Sequence, residues 1–188
     1  MLYVLMILSG ILLGLLTGGK LSNLVEFKLE KAWIVMLAFI LLVTVRIAGM
    51  KFYVLNEYAM IANGLVAIIL FIGLWYNRYY AGIWLIGAGS FMNALIILLN
   101  DGKMPVGVKV ALKAGVVPEI VKSDIRHFVF YKSSEVKLSF LADVVYLPGF
   151  IGYGMPIVSI GDLIIAAGLA VLMMQIVRNK RVGNPTVQ

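Results

Sequence analysis

The sequence predicts an all-α integral membrane protein of about five transmembrane helices, with a small extracytoplasmic cap between the fourth and fifth. Composition is the first ground. Of 188 residues, 62% are hydrophobic and 13% charged, and mean hydropathy is +1.02, whereas soluble domains carry about 25% charge. The second is that five apolar runs approach the roughly 20 residues that cross a bilayer. The third is a single long polar stretch, 100–139, between the fourth and fifth runs. The chain has no cysteine, which excludes disulfides, thiolate metal sites and thiol nucleophiles. A net charge of +7 sits in short loops and a tail. There it sets topology and meets anionic head groups, so membrane lipids are the expected partners and nucleic acid is not.

The first run, Leu2 to Gly18, lacks the basic start and small-residue cleavage site of a signal peptide and reads as a retained helix. Lys20 to Lys31 follows, with Leu21, Leu24, Val25 and Leu29 spaced for an amphipathic turn or two on the membrane surface. The second run spans Ala32 to Met50, and Arg46 near its end is expected to snorkel to the interface. Tyr53 and Tyr58 are interfacial aromatics. The third run, Tyr58 to Tyr76, ends in an aromatic belt around Arg78. The fourth, Tyr79 to Leu99, holds Gly82, Gly87, Gly89, Ser90 and Asn93, small and polar residues of the kind that let helices pack closely. In the polar stretch, Val106 to Val117 fits an amphipathic helix or a strand, and His127–Tyr131 and Val136–Phe140 alternate as short strands do. The fifth run, Ile157 to Val177, precedes a basic tail, Arg178 to Arg181.

The chain thus divides into 1–99, four spans; 100–156, cap and re-entry segment; and 157–188, fifth span and basic tail. The tail, the Lys20–Lys31 loop and Arg78 belong on the cytoplasmic side by the positive-inside bias, against the pull of the cap's own lysines. The N-terminus and cap then lie outside the cell membrane and the C-terminus inside.

Two lone acids carry the chemical interest. Asp143 precedes the last apolar segment and Asp162 lies within its first turns, nineteen residues on. An ionisable side chain in a span costs roughly 2.5–3.5 kcal/mol on insertion scales, so it has a partner or a task. The turn-rich YLPGFIGYGMP between them can double the chain back and bring the carboxyls together. Two adjacent carboxyls share one proton, and such a pair activates water while protonating a carbonyl. The competing reading makes Asp162 a helix cap aided by Ser159, since SIGD is an ordinary helix start. Asn93 and Asn100, seven apart on one helix face, and Met104 in the following turn are candidates to position a substrate. So is His127, the one histidine, a candidate base or pH sensor. Asn93 bonding to a neighbouring helix is the plainer alternative. No metal-ligand spacing, phosphate loop, dinucleotide fingerprint or serine-elbow motif is present, so no metal or cofactor is expected.

Two resemblances follow from these motifs. The run N-A-L-I-I-L-L-N-D-G-K-M-P-V, then His127, L-A-D-V-V-Y-L-P and V-S-I-G-D-L-I-I-A-A-G, resembles a domain of unknown function in small multi-pass proteins of Firmicutes and related bacteria. More distantly, the last third is similar to the lipoprotein signal peptidase family of intramembrane aspartyl enzymes. L-A-D-V-V matches that family's first aspartate motif at Asp143, V-S-I-G-D its second at Asp162, and Asn100-Asp101-Gly102 its N-x-G. Ser159 stands where that family has Asn, and a polar cap replaces its helical hairpin. The resemblance implies hydrolysis of a lipid-associated peptide or lipid at the outer face, with Asp143 and Asp162 catalytic and a lipid-anchored or transmembrane peptide as partner. The alternative is a non-catalytic protein that binds lipid or peptide, transports, or assists assembly, with Asp162 a cap or an ion or proton site.

Overall fold

The computed structural model describes residues 1–51, 59–116, 127–130 and 132–179. Tyr53, Tyr58, Tyr131, Arg181 and the Arg46 side chain lie outside the described residues. Five long helices match the five apolar runs to within three residues at either end. They are α1 (Leu2–Leu16), α3 (Ala32–Lys51), α4 (Ala59–Tyr76), α5 (Ala81–Leu99) and α7 (Ile160–Val177), with short α2 (Ser22–Glu26) and α6 (Val108–Lys113) between them. The chain is mostly helical. Two of the helices, Ala81–Leu99 and Ile160–Val177, are long and apolar enough to cross a membrane, and only 22% and 39% of their apolar windows are buried. A soluble protein's core helix would be mostly covered, so this points to membrane association.

Helix α7 sits at the centre, between α5 and α1. Glycine makes both contacts possible. A Cβ at Gly82 would meet the Leu172 amide nitrogen at 2.5 Å and the Gly168 carbonyl at 2.6 Å, and one at Gly89 would run into the Gly161 carbonyl. On the other side Gly10 abuts Ala170, and Gly14 abuts Val177. These pairs fix direction: α1 runs parallel to α7 and α5 antiparallel to it. Helix α4 packs on α5 through edge-to-face pairs, Phe71–Phe91 and Trp75–Trp84, and α3 closes on α4 where Val35 fills the space over Gly73.

Both turns that end the central helices follow local rules. After α5, Asp101 and Gly102 take left-handed conformations, and the Gly102 amide donates to the Ile97 carbonyl at 2.9 Å, a Schellman closure. After α1, Gly18 does the same, with Gly19 donating to Gly14. Asn23 then donates to the last carbonyl of α7, Val177, at 2.7 Å, which ties the loop end of the bundle together.

The cap is not helical throughout. Strand β1 (Met104–Gly107) leads into α6 and pairs in parallel with β2 (His127–Phe130), Met104 opposite His127. A parallel pair needs such a crossover. The alternatives for Val106–Val117 resolve, up to residue 116, to a strand end followed by a short helix; Val117 lies outside the described residues. The expected strand at Val136–Phe140 is corrected. Leu138 adopts φ 53°, and a 3-10 turn runs over Ser139–Leu141, so the alternation there reflects burial of Val136 and Leu141 in the cap core, not extended pairing. The YLPGFIGYGMP segment does double back: β3 (Val145–Tyr146) pairs antiparallel with β4 (Ile157–Val158). The Lys20–Lys31 stretch is helical only over the five residues of α2.

Candidate functional site

The site is assembled where the cap meets the start of α7. Ser159 and Asp162 form a reciprocal capping box: the Asp162 amide donates to Ser159 Oγ at 3.0 Å, and the Ser159 amide donates to Asp162 Oδ2 at 2.9 Å. Two other helices reach the same carboxylate. Tyr3 of α1 donates its hydroxyl to Asp162 Oδ1 at 2.9 Å, and Asn93 of α5 donates Nδ2 to the same oxygen at 2.9 Å. Gly161 allows this approach, since a Cβ there would run into the Asn93 amide. The three central helices therefore meet on one carboxyl group.

Ser159 Oγ lies 2.9 Å from Asp162 Oδ2 and 2.8 Å from Asn93 Oδ1, with one hydrogen to give. A serine hydroxyl donates once and accepts twice. If its hydrogen goes to Asp162, Asn93 Oδ1 is left open. If it goes to Asn93, Asp162 Oδ2 still accepts from the Ser159 amide.

Asp143 stands at the cap side of this cluster. Its backbone extends the β1 edge: its amide donates to the Pro105 carbonyl at 3.0 Å, and its carbonyl accepts from Gly107 at 3.1 Å. The residue is 8% exposed, and among the described residues its buried Oδ1 has no hydrogen-bond partner. Burial, and then the nearby Asp162 charge, push its carboxyl from 3.8 up to about 7.

The structure joins three of the seven sequence candidates, Asn93, Ser159 and Asp162, by hydrogen bonds, and leaves Asp143 within reach of the Asp162 charge. The other three belong to the cap. Asn100 spends its amide on main chain. Nδ2 donates to the Ile96 carbonyl at 2.8 Å and to the Lys137 carbonyl at 3.1 Å, and Oδ1 accepts from the Lys137 amide at 3.2 Å. Replacing Asn100 with alanine is therefore expected to lower unfolding stability by about 1–3 kcal/mol, because buried main-chain groups lose partners. Unchanged unfolding of the variant would oppose this anchoring role. Asn100 also borders a cleft of about 530 Å³ lined by Lys103, Phe128, Glu135 and Lys137. Met104 is buried against Ile96 and Phe130 in the cap core, and His127 is half-buried on β2. Among the described residues no group of three or more His, Cys, Asp or Glu side chains could hold a metal ion.

Tyr3 was not legible as a site residue. Its partner is 159 positions away, and the only local sign is a phenol, one of two hydroxyls with Ser9 in an otherwise apolar first helix, at the end where Asp162 was expected.

Fold and site together define a mostly helical protein, two of whose helices are long and apolar enough to cross a membrane, with a shared-carboxylate cluster where three helices meet a small cap. The chain belongs to DUF5317, a family of unknown function, whose model matches residues 26–174. No curated protein and no solved structure matches it. The matched region contains all seven sequence candidates and leaves out Tyr3.

Proposed function

We propose that this is a five-span protein of a bacterial cell membrane, with cap and N-terminus outside and C-terminus in the cytoplasm. We further propose that Asp143 and Asp162 form the working pair of an aspartyl hydrolase-like site for a lipid-associated peptide or lipid. The alternating helix directions support the topology. They gather the cap and the acid pair at one end of the bundle, and Lys20, Lys28, Lys31, Arg78 and Arg178 at the other. One observation carries the chemistry: a carboxylate braced by donors from three helices lies within electrostatic reach of a buried carboxyl whose Oδ1 has no hydrogen-bond partner among the described residues.

In this reading Asp162 takes a proton from water as the water oxygen attacks a scissile amide carbon, and Asp143 protonates the carbonyl oxygen. The resulting diol collapses when Asp162 returns its proton to the leaving nitrogen and a diol hydrogen goes back to Asp143. Asn93, fixed between Ser159 and Asp162, holds the acceptor carboxylate in place. The likeness of the Asp143 and Asp162 motifs to lipoprotein signal peptidase belongs to this proposal.

The capping box favours a second reading, in which Asp162 is structural and the pair only binds a proton in a non-catalytic lipid- or peptide-binding protein. Proteoliposomes offered a diacylated fluorogenic peptide and phospholipid separate the two. Hydrolysis by the wild type, falling by about 10²–10⁴-fold in both Asp143→Asn and Asp162→Asn with folding retained, supports the hydrolase. A wild type that cleaves neither probe, with variants altered only in unfolding, supports the second.

A further inference from the structure

The hairpin joining the two acids has an outer face that is exposed among the described residues. Strands β3 and β4 are extended by the Leu147 amide donating to the Pro156 carbonyl at 2.9 Å, and the tip between them is closed by two further turns, Tyr153 to Phe150 and Met155 to Gly152. Gly149 and Gly154 take left-handed conformations in it. The tip carries Phe150, Ile151 and Tyr153 at 66%, 45% and 73% exposure. No charged residue occurs from Val144 to Gly161.

The hairpin's other face shows where this tip lies. Val145, Leu147 and Met155 share one apolar cluster with Leu2, Tyr3 and Met6 of α1 and Leu163 of α7. The hairpin therefore lies beside the first turns of α1 and α7. Its tip is level with the start of α1, where Met1 N is 2.6 Å from the Tyr153 carbonyl. Along α1 from that level runs an exposed stripe, Val4, Leu8 and Leu12, four residues apart on one face. The tip, free of charged side chains, lies level with the upper end of this stripe, at a helix end, which is where Tyr and Phe settle between head groups and acyl chains.

We infer that the 148–155 tip is an interfacial anchor that inserts Phe150, Ile151 and Tyr153 into the bilayer leaflet on the cap side. The inference rests on the bilayer placement proposed above. One foot of the hairpin follows Asp143 directly and the other leads into Ser159 and Asp162, so the anchor holds both acids at the lipid surface. A lipid-borne substrate reaches them from the leaflet, not from bulk water.

The absence of cysteine makes the test direct. Phe150→Cys and, separately, Leu8→Cys are labelled with an environment-sensitive fluorophore in vesicles of phosphatidylethanolamine and phosphatidylglycerol. Each is challenged with iodide in the water and with lipid carrying a doxyl quencher near the head group or deep in the chain. The expected result is that position 150 is quenched by the shallow doxyl lipid and shielded from iodide, while position 8 is quenched by doxyl lipid at greater depth. If position 8 is lipid-quenched and position 150 responds to iodide alone, the anchor is refuted and the bilayer placement stands. Position 150 shielded from both quenchers would mean that protein, such as a second copy, covers the tip, and also refutes the anchor. If neither position is lipid-quenched, the bilayer placement falls and the anchor with it.

Discussion

Gly82→Ala and Gly168→Ala are each expected to cost about 3 kcal/mol or more of stability, while Gly87→Ala on the same helix as Gly82 changes it by less than about 1 kcal/mol in either direction. The contrast comes from what each new methyl meets. At Gly82 it meets main-chain atoms of Leu172 and Gly168, and at Gly168 it meets the Ile86 amide nitrogen at 2.8 Å and the Gly82 carbonyl at 2.9 Å. Main chain cannot rotate aside, so α5 and α7 must separate along their length. At Gly87 the nearest atom is Leu74 Cδ1 at 3.9 Å, an ordinary contact. In the bilayer placement proposed above, apolar faces gain nothing from leaving water, so close approach of backbones is the main attraction lost. The same separation would draw Asn93 away from Asp162, because Gly89 and Gly161 lie on this seam. The measurement is the unfolding midpoint and the monodisperse yield of the three variants. Equal behaviour at positions 82, 168 and 87 would remove the seam from the account.

The helix runs were legible because length and hydropathy are local quantities. Their partners were not. A helix that is apolar all round has no stripe to mark its buried face, so Gly82, Gly87 and Gly89 read alike as packing residues when only Gly82 and Gly89 lie on the seam. Turn chemistry in YLPGFIGYGMP did announce the reversal that joins β3 to β4. The cap was harder, because period-two alternation occurs in turns as well as strands, as Val136–Phe140 shows. The Asp162 cap was written in SIGD, whereas its bonds to Tyr3 and Asn93 span 159 and 69 positions and leave no local trace. Asn100 illustrates the opposite case: its place at the helix end was visible, but its grip on Lys137 depends on how the cap folds back.

The second large effect concerns pH. Asp143 holds its proton up to about 7 in the folded protein against an ordinary 3.8, chiefly because it is buried and then because Asp162 is near. Below pH 3.8 both folded and unfolded chains carry this proton, and no penalty exists. Between 3.8 and 7 the unfolded chain releases it while the folded chain keeps it, so stability falls as pH rises, by about 1.4 kcal/mol per unit and ~4 kcal/mol in all, and levels off above 7. Asp143→Asn has no proton to lose. Its unfolding stability relative to wild type is therefore expected to climb by up to ~4 kcal/mol between pH 4 and pH 8. Parallel curves for the two proteins would show that Asp143 ionises freely in the fold. Asp162→Asn removes the second cause and leaves the first, so it should move the upper edge of the window down without abolishing it. The same titration bears on activity. Hydrolysis through Asp143 as proton donor needs its protonated form, so turnover should fall as pH rises through about 7 in the wild type. That limb should shift to lower pH in any variant that lets water reach the Asp143 carboxyl, because hydration removes the larger of the two causes that hold its proton.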